Sequence, residues 1–381
     1  MTLAHIKALL DDSPAWIINE VVLQEAFHTV QTLQTSSGCK ILYSIKSMPF
    51  SSVLLSAKPY VTGFSVSSLF EARLARECAS STQEIHLTTP GIKAAELAEL
   101  AELCTHINFN SLTHHALYAK QIEAKVAVGL RVNPKLSFLQ DERYNPCRSF
   151  SKLGVDIEQL WQSPAIEQVS GLHFHTLFSA ENYSPLLKTI ATFTHTFHDQ
   201  LKRLTWLNVG GGYLFNKISD QTPFINCVHD LQKHYALSVY SEPGNALVKQ
   251  SGTLIATVID LFNSDGKTIA VLDTSINHLP EVFEYQQSPH LFEHDPTGKY
   301  RALVVGCTCL AGDIFGEYHF TEPLCIGDKL SFINVGAYSL VKANRFNGYN
   351  FPSIFRYNGH GLERLKQYSY QDYRQQWFAD S

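Results

Sequence analysis

"EIHLTTPGIKAAELAELAELCTHINFNSLTHHALYAKQIEAKVAVGLRVN", residues 84–133, decides the fold. "EIHLT" and "THINF" are short runs of strand formers. "GIKAAELAELAEL" repeats its apolar residues at helical spacing, and so does "LTHHALYAKQIE"; "KVAVGLRVN" returns to strand. Strand and helix in strict alternation predict parallel β/α packing. The rhythm runs outward in both directions. Before it come "AWIIN", "EVVLQEAFHTVQTLQ", "KILYSI", "FSSVLLSAK", "VTGFSV" and "SLFEARLARECA". After a long loop at 133–154 come "VSGLHFHT", "YSPLLKTIATFTHTFHDQLKR", "LTWLNVGGGY", "TPFINCVHDLQKHY" and "LSVYSEPG". About eight such units suit a (β/α)8 barrel. Beyond residue 250 the rhythm changes: "GTLIATVIDLF", "KTIAVLDTS", "YRALVVGC" and "DKLSFINVGAY" read as strands with little helix between them. The fold class is therefore α/β plus β. The barrel is placed at 20–250 and a β domain at 251–381, with residues 1–19 open to either half on pattern alone.

Composition narrows the function classes. With 381 residues and 45% hydrophobic content, the chain has ample material for two cores. Thirty basic against 35 acidic residues leave a net charge of -5, which gives no footprint for nucleic acid. No apolar run reaches the length of a membrane span, so no membrane partner is expected. The start, "MTLAHIKALLDDSPAW", lacks the basic start and long apolar core of a signal peptide, and a cytoplasmic location is expected. The eight cysteines include no C-x-x-C pair and read as free thiols; Cys307 and Cys309 form a C-x-C, weak evidence for metal.

In such a barrel, reactive groups gather at the C-terminal ends of the strands. Read in order, those ends carry Lys46, Ser65, Arg131, His173 and His175, Gly210, Gly211 and Gly212, and Glu242. Lys46 closes an otherwise apolar strand. It either snorkels to water or has a lowered pKa suited to a Schiff base. The three glycines form either a phosphate nest or a tight turn. His173 and His175 face one side of the sheet, as a metal pair, as a ring stacked on a flat ligand, or as core histidines. No nearby carboxylate completes a metal set, and no metal is expected. Glu242 either caps a turn or pairs with a pyridine nitrogen. An amine, a phosphate nest, a stacking imidazole and a carboxylate at consecutive strand ends together fit one cofactor, pyridoxal 5'-phosphate.

With these residues in hand, the chain resembles the fold-type III pyridoxal phosphate decarboxylases, the group of ornithine, arginine and diaminopimelate decarboxylases. Within that group it is most similar to the carboxynorspermidine/carboxyspermidine branch. The resemblance rests on "LYSIKS", "FSVSSLFE", "GLRVNP", "GLHFHTL", "NVGGGY" and "SEPGNA", then "LDTSINHLPEV", "GCTCLAGD" and "GAYSLVKANRFNGYNFP". It implies an alanine-racemase-like barrel and a β domain that includes the N-terminal strand. It implies cofactor attachment at Lys46, a stacking His175, and phosphate contacts from Gly210, Gly211, Gly212 and Tyr338. Glu242 would sit at the ring nitrogen, Arg131 would be a further cofactor contact, and Cys309 would be the catalytic cysteine. It further implies a carboxylated polyamine substrate and a homodimer whose chains lend each other the cysteine segment. Asp273 and Asp313 are the expected acids for the cationic tail, with Glu281 behind them. Departures from ornithine-type relatives are Leu177 and Phe178 after the histidine, Asn245 in place of an arginine, and Ser65 in place of an aspartate. Decarboxylation of another amino acid, such as diaminopimelate or ornithine, and a silent binding role remain open. Racemisation fits poorly with an acid at position 242.

Overall fold

The alternation read from 84–133 closes on itself. The structure, a computed structural model, describes residues 3–379. It divides into two compact units, one spanning Gln24–Leu247 and the other formed by the residues on either side. The first strand, β1 (Ala15–Asn19), belongs to the latter.

The unit Gln24–Leu247 carries β2 (Lys40–Ser44), β3 (Gly63–Val66), β4 (Glu84–Thr88), β5 (His106–Phe109) and β6 (Ala127–Asn133). It continues with the two-residue β7 (Val155–Asp156), then β8 (Gly171–Phe174), β9 (Trp206–Asn208) and β10 (Ser238–Ser241). All pair in parallel in the order β5-β4-β3-β2-β10-β9-β8-β6, and a β5–β6 pairing closes the ring, with β7 appended to β6. Strands walled on both faces read as continuous apolar runs, and β3 and β8 are buried along their whole length. The helices outside present small residues to the sheet: Leu69–Cys78 buries Ala72, Ala75 and Cys78, and starts where Ser68 accepts from the Glu71 amide. Inside the barrel the Trp206 indole fills the space left by two glycines. A Cβ on Gly171 would lie 2.0 Å from the indole, and one on Gly129 2.4 Å.

The second unit is a mixed sheet. Its strands are β11 (Gly252–Ser264), β12 (Lys267–Leu272), β13 (Tyr300–Val305), β14 (Ile314–Phe320), β15 (Lys329–Ile333), β16 (Ser353–Tyr357) and β17 (Leu362–Lys366). Their order is β14-β13-β12-β11-β1-β16-β17, with β15 also on β11. The N-terminal strand β1 thus sits in this sheet, antiparallel to β11 and parallel to β16. Ile6, Leu10, Ala15, Ile17, Ile255, Phe355 and Tyr357 form one core cluster here. This unit holds more helix than its sequence suggests. The Tyr370–Trp377 helix buries none of its residues, so it has no apolar stripe to read; the signal it does carry is a capping box between Ser369 and Asp372. Among the described residues no helix is long and apolar enough to cross a membrane.

Candidate active site

Parallel strands deliver their C-terminal ends to one mouth of the barrel, and the polar strand ends meet there. Lys46 lies in the 3-10 turn Ile45–Ser47 that follows β2. The Ser44 amide donates to the Pro243 carbonyl at 2.9 Å, which ties that turn to the Glu242 loop. Arg131 on β6 is in register with His173 on β8, and His173 with Asn208 on β9.

Lys46 is reached by solvent but walled by protein, as expected of a group in a recess. Burial lowers its pKa, Arg131 lowers it further, and Glu242 and Glu71 oppose the shift without cancelling it. Burial likewise works against the charge of Glu242, but the His173 hydrogen bond and the Lys46 amine outweigh it, and the carboxyl stays well below the usual range. Asn208 Nδ2 donates to Glu242 Oε1 at 2.8 Å, and His173 Nε2 lies 3.3 Å from Oε2. Arg131 is buried, which drops its pKa to about 10, and it makes no hydrogen bond or ion pair among the described residues.

The glycines act differently from a simple nest. Gly210 and Gly212 have positive φ, and a Cβ on any of the three would strike a carbonyl oxygen at 2.1–2.4 Å: Phe174, Glu242 and Leu177 in turn. Glycine is required there by the close approach of neighbouring strands. The Gly210 amide donates to Asn208 Oδ1 and the Gly211 amide to His175 Nδ1. The expectation that all three amides face a phosphate is therefore corrected: two are spent inside the chain. The amides of Gly212 and Gly244 have no acceptor among the described residues, and the free Gly244 amide is one the sequence reading did not single out. Its signal was the "EPG" turn. Asn245 gives its amide to Ser179 Oγ at 3.2 Å.

A lysine amine in the turn after β2, a buried guanidinium without a hydrogen-bond partner among the described residues, two unused glycine amides and an ionised carboxylate fit an anionic, nitrogen-containing ligand of the pyridoxal phosphate type. The other expected residues lie in the second unit. Cys309 is exposed, and its amide donates to Asn347 Oδ1 at 2.9 Å. Tyr338 has φ 67°, a left-handed conformation unusual for an aromatic residue. Asp273 accepts from Ser13 Oγ and the Thr257 amide, and lines a cavity of about 310 Å³ with Asp12, Tyr349, Phe351 and Tyr368. Glu281 accepts from Ser339 Oγ, and burial raises its pKa. Asp313 is turned into its own loop, where it accepts from the Ile276 amide and from the Thr308 amide and hydroxyl. Three hydrogen bonds occupy most of its acceptor sites, and the carboxylate is buried in this loop.

At the strand starts, the opposite end of the barrel, Glu84, His86 and His106 bring ligand atoms together. The two imidazoles stack with centroids 3.8 Å apart and planes 23° off parallel, so their in-plane lone pairs cannot converge on one ion. Lys40 and Tyr240 already hold the Glu84 carboxylate.

Residues 22–252 match the family described as pyridoxal-dependent decarboxylase, pyridoxal binding domain. The carboxynorspermidine/carboxyspermidine decarboxylase of Campylobacter jejuni is 32% identical over 381 residues, covering 95% of this chain and 97% of that relative. The carboxyaminopropylagmatine decarboxylase of a Synechocystis species is 33% identical over 370 residues, covering 95% and 94%. The crystal structure of carboxynorspermidine decarboxylase from Campylobacter jejuni complexed with norspermidine superimposes with a TM-score of 0.88 at 30% identity, over 96% of this chain and all of that one. Diaminopimelate decarboxylase from Helicobacter pylori reaches 0.86 at 18% identity over 98% and 99%, a likeness of fold. The chain belongs to the pyridoxal-dependent decarboxylases.

Proposed function

We propose that this chain decarboxylates carboxynorspermidine or carboxyspermidine, releasing carbon dioxide and the corresponding polyamine. The observation that carries the reading is the placing of Lys46: an amine in the turn after β2 at the barrel mouth, tied by the Ser44–Pro243 hydrogen bond to the loop that carries Glu242. When bound, pyridoxal phosphate supplies the electron sink for the pair left on the α-carbon. Lys46 holds the cofactor covalently, and its lowered pKa keeps more of the amine neutral and nucleophilic. The Gly212 and Gly244 amides and Tyr338 receive the phosphate. Arg131 would balance further negative charge on the bound ligand. His175 presents a fixed ring face, and Glu242 keeps the ring nitrogen protonated. Cys309 or Lys46 gives a proton to the α-carbon after the carboxyl group has left. Asp273 and Asp12, among aromatic rings, have the chemistry to hold a protonated amine tail.

The active unit is proposed to be a homodimer in which each chain lends its Cys309 segment to the other. Mixing Lys46→Ala with Cys309→Ala chains is then expected to restore part of the activity that each lacks. A second reading, decarboxylation of carboxyaminopropylagmatine, is favoured by the 33% identity to the Synechocystis relative. That substrate ends in a guanidinium instead of an ammonium. The deciding experiment incubates purified, pyridoxal phosphate-loaded protein with each carboxylated polyamine, carboxyaminopropylagmatine, diaminopimelate and ornithine, and identifies the product amine. Turnover of ornithine or diaminopimelate alone would reject the polyamine reading.

A further inference from the structure

Glu242 is held by two side chains that the reaction itself does not need. Asn208, fully buried, donates Nδ2 to Oε1 at 2.8 Å, while its own Oδ1 accepts the Gly210 amide at 2.9 Å. One amide side chain therefore couples the glycine turn to the acid. His173, 1% exposed, places Nε2 3.3 Å from Oε2. Its Nδ1 is buried and has no partner. An imidazolium would leave a second buried N–H without an acceptor, so the geometry selects the neutral tautomer with its proton on Nε2. Burial also lowers the pKa of His173. Each carboxylate oxygen thus receives one neutral donor and keeps lone pairs for a ligand. A cation at 173 would instead compete with that ligand for the negative charge.

The geometry points to His173 and Asn208 as positioning residues: a neutral two-point clamp that fixes the Glu242 carboxylate so that it holds a ligand's ring nitrogen in the protonated state. This inference rests on the pyridoxal phosphate reading above. It gives a use to a histidine and an asparagine that the proposed chemistry leaves idle.

The test uses holoenzyme reconstituted with pyridoxal phosphate labelled with 15N in the ring, read by NMR. In a glutamine the amide nitrogen can stand near the place of Nε2; in an asparagine it stands near Nδ1 and falls short of Glu242. In His173→Asn the ring-nitrogen resonance is expected to move toward that of unprotonated pyridine. The kcat should drop about 10- to 100-fold, the usual cost of losing an orienting partner, with little change in KM. His173→Gln should restore both. Asn208→Leu should move the resonance in the same direction, and it serves if His173→Asn does not fold. A resonance unmoved in the folded variants, with the label still attached at Lys46, overturns the clamp alone. A wild-type protein that takes up no label overturns the cofactor reading and the clamp with it.

Discussion

The Gly211 amide donates to Nδ1 of His175 at 3.1 Å. A ring nitrogen that accepts a backbone N–H cannot carry a proton of its own, so the proton of neutral His175 is on Nε2. Burial, Lys46 and Arg131 all push its pKa well below the usual histidine value. The ring is expected to stay neutral between about pH 5 and 8, the range in which an ordinary histidine titrates. Nitrogen-15 NMR of labelled histidine should show Nδ1 as an unprotonated acceptor throughout. His175 then adds no acid limb to the rate profile. A titration of this ring near pH 6.5 would reject the assignment.

Lys46 makes stability depend on pH in a known direction. Its folded pKa lies below its ordinary value of 10.5. Below the folded pKa both states carry the charge, and the folded state bears the full penalty of desolvating it. As pH rises toward 10.5 the unfolded state also loses its proton, and the penalty disappears. Cofactor-free Lys46→Met is therefore expected to melt higher than the wild type at neutral pH. The gap should close as pH approaches 10.5. A gap that widens with pH has the wrong sign. Solvent access to the amine keeps the effect modest.

The Trp206 indole over Gly171 predicts a size-specific defect. A methyl on Gly171 would lie 2.0 Å from the indole, so Gly171→Ala forces the ring or the strand to move. Overpacking of this kind costs roughly 1–3 kcal/mol. Trp206→Ala in the same chain removes the ring, and the Gly171→Ala change should cost less there than in the wild type. A double-mutant cycle in urea measures the coupling, and strict additivity would show that the contact does not constrain the barrel.

The barrel was legible because its signal is local. Strands as short as "THINF" alternate with helices, and the chain's own order places their ends together. Lys46, His175, Arg131 and Glu242 could be singled out for the same reason: each lies within two residues of a strand's C-terminal end. What the sequence hid depends on hydrogen bonds between distant strands. Nothing in "NVGGGY" says that the Gly210 and Gly211 amides are consumed by Asn208 and His175, leaving only Gly212 free. Nothing in "GLHFHT" says that His173 serves Glu242, since the pair are 69 residues apart. The hydrogen bonds of Asp313 were hidden too, because they reach amides 5 and 37 residues away.

Asp313 should behave as the organiser of the cysteine loop. Both its oxygens accept backbone amides, and Gly306 packs so close that a Cβ there would lie 2.2 Å from Oδ1. Asp313→Asn keeps the shape but turns one acceptor into a donor facing a main-chain N–H. The mismatch leaves a buried amide unpaired, at about 1–3 kcal/mol. Amide hydrogen exchange should rise across residues 306–313, while Asn substituted at Asp273 should leave that loop protected. If instead Asp313 contacted substrate directly, Asp313→Asn would raise KM without loosening the loop, and measuring exchange and kinetics on the same variant separates the two roles.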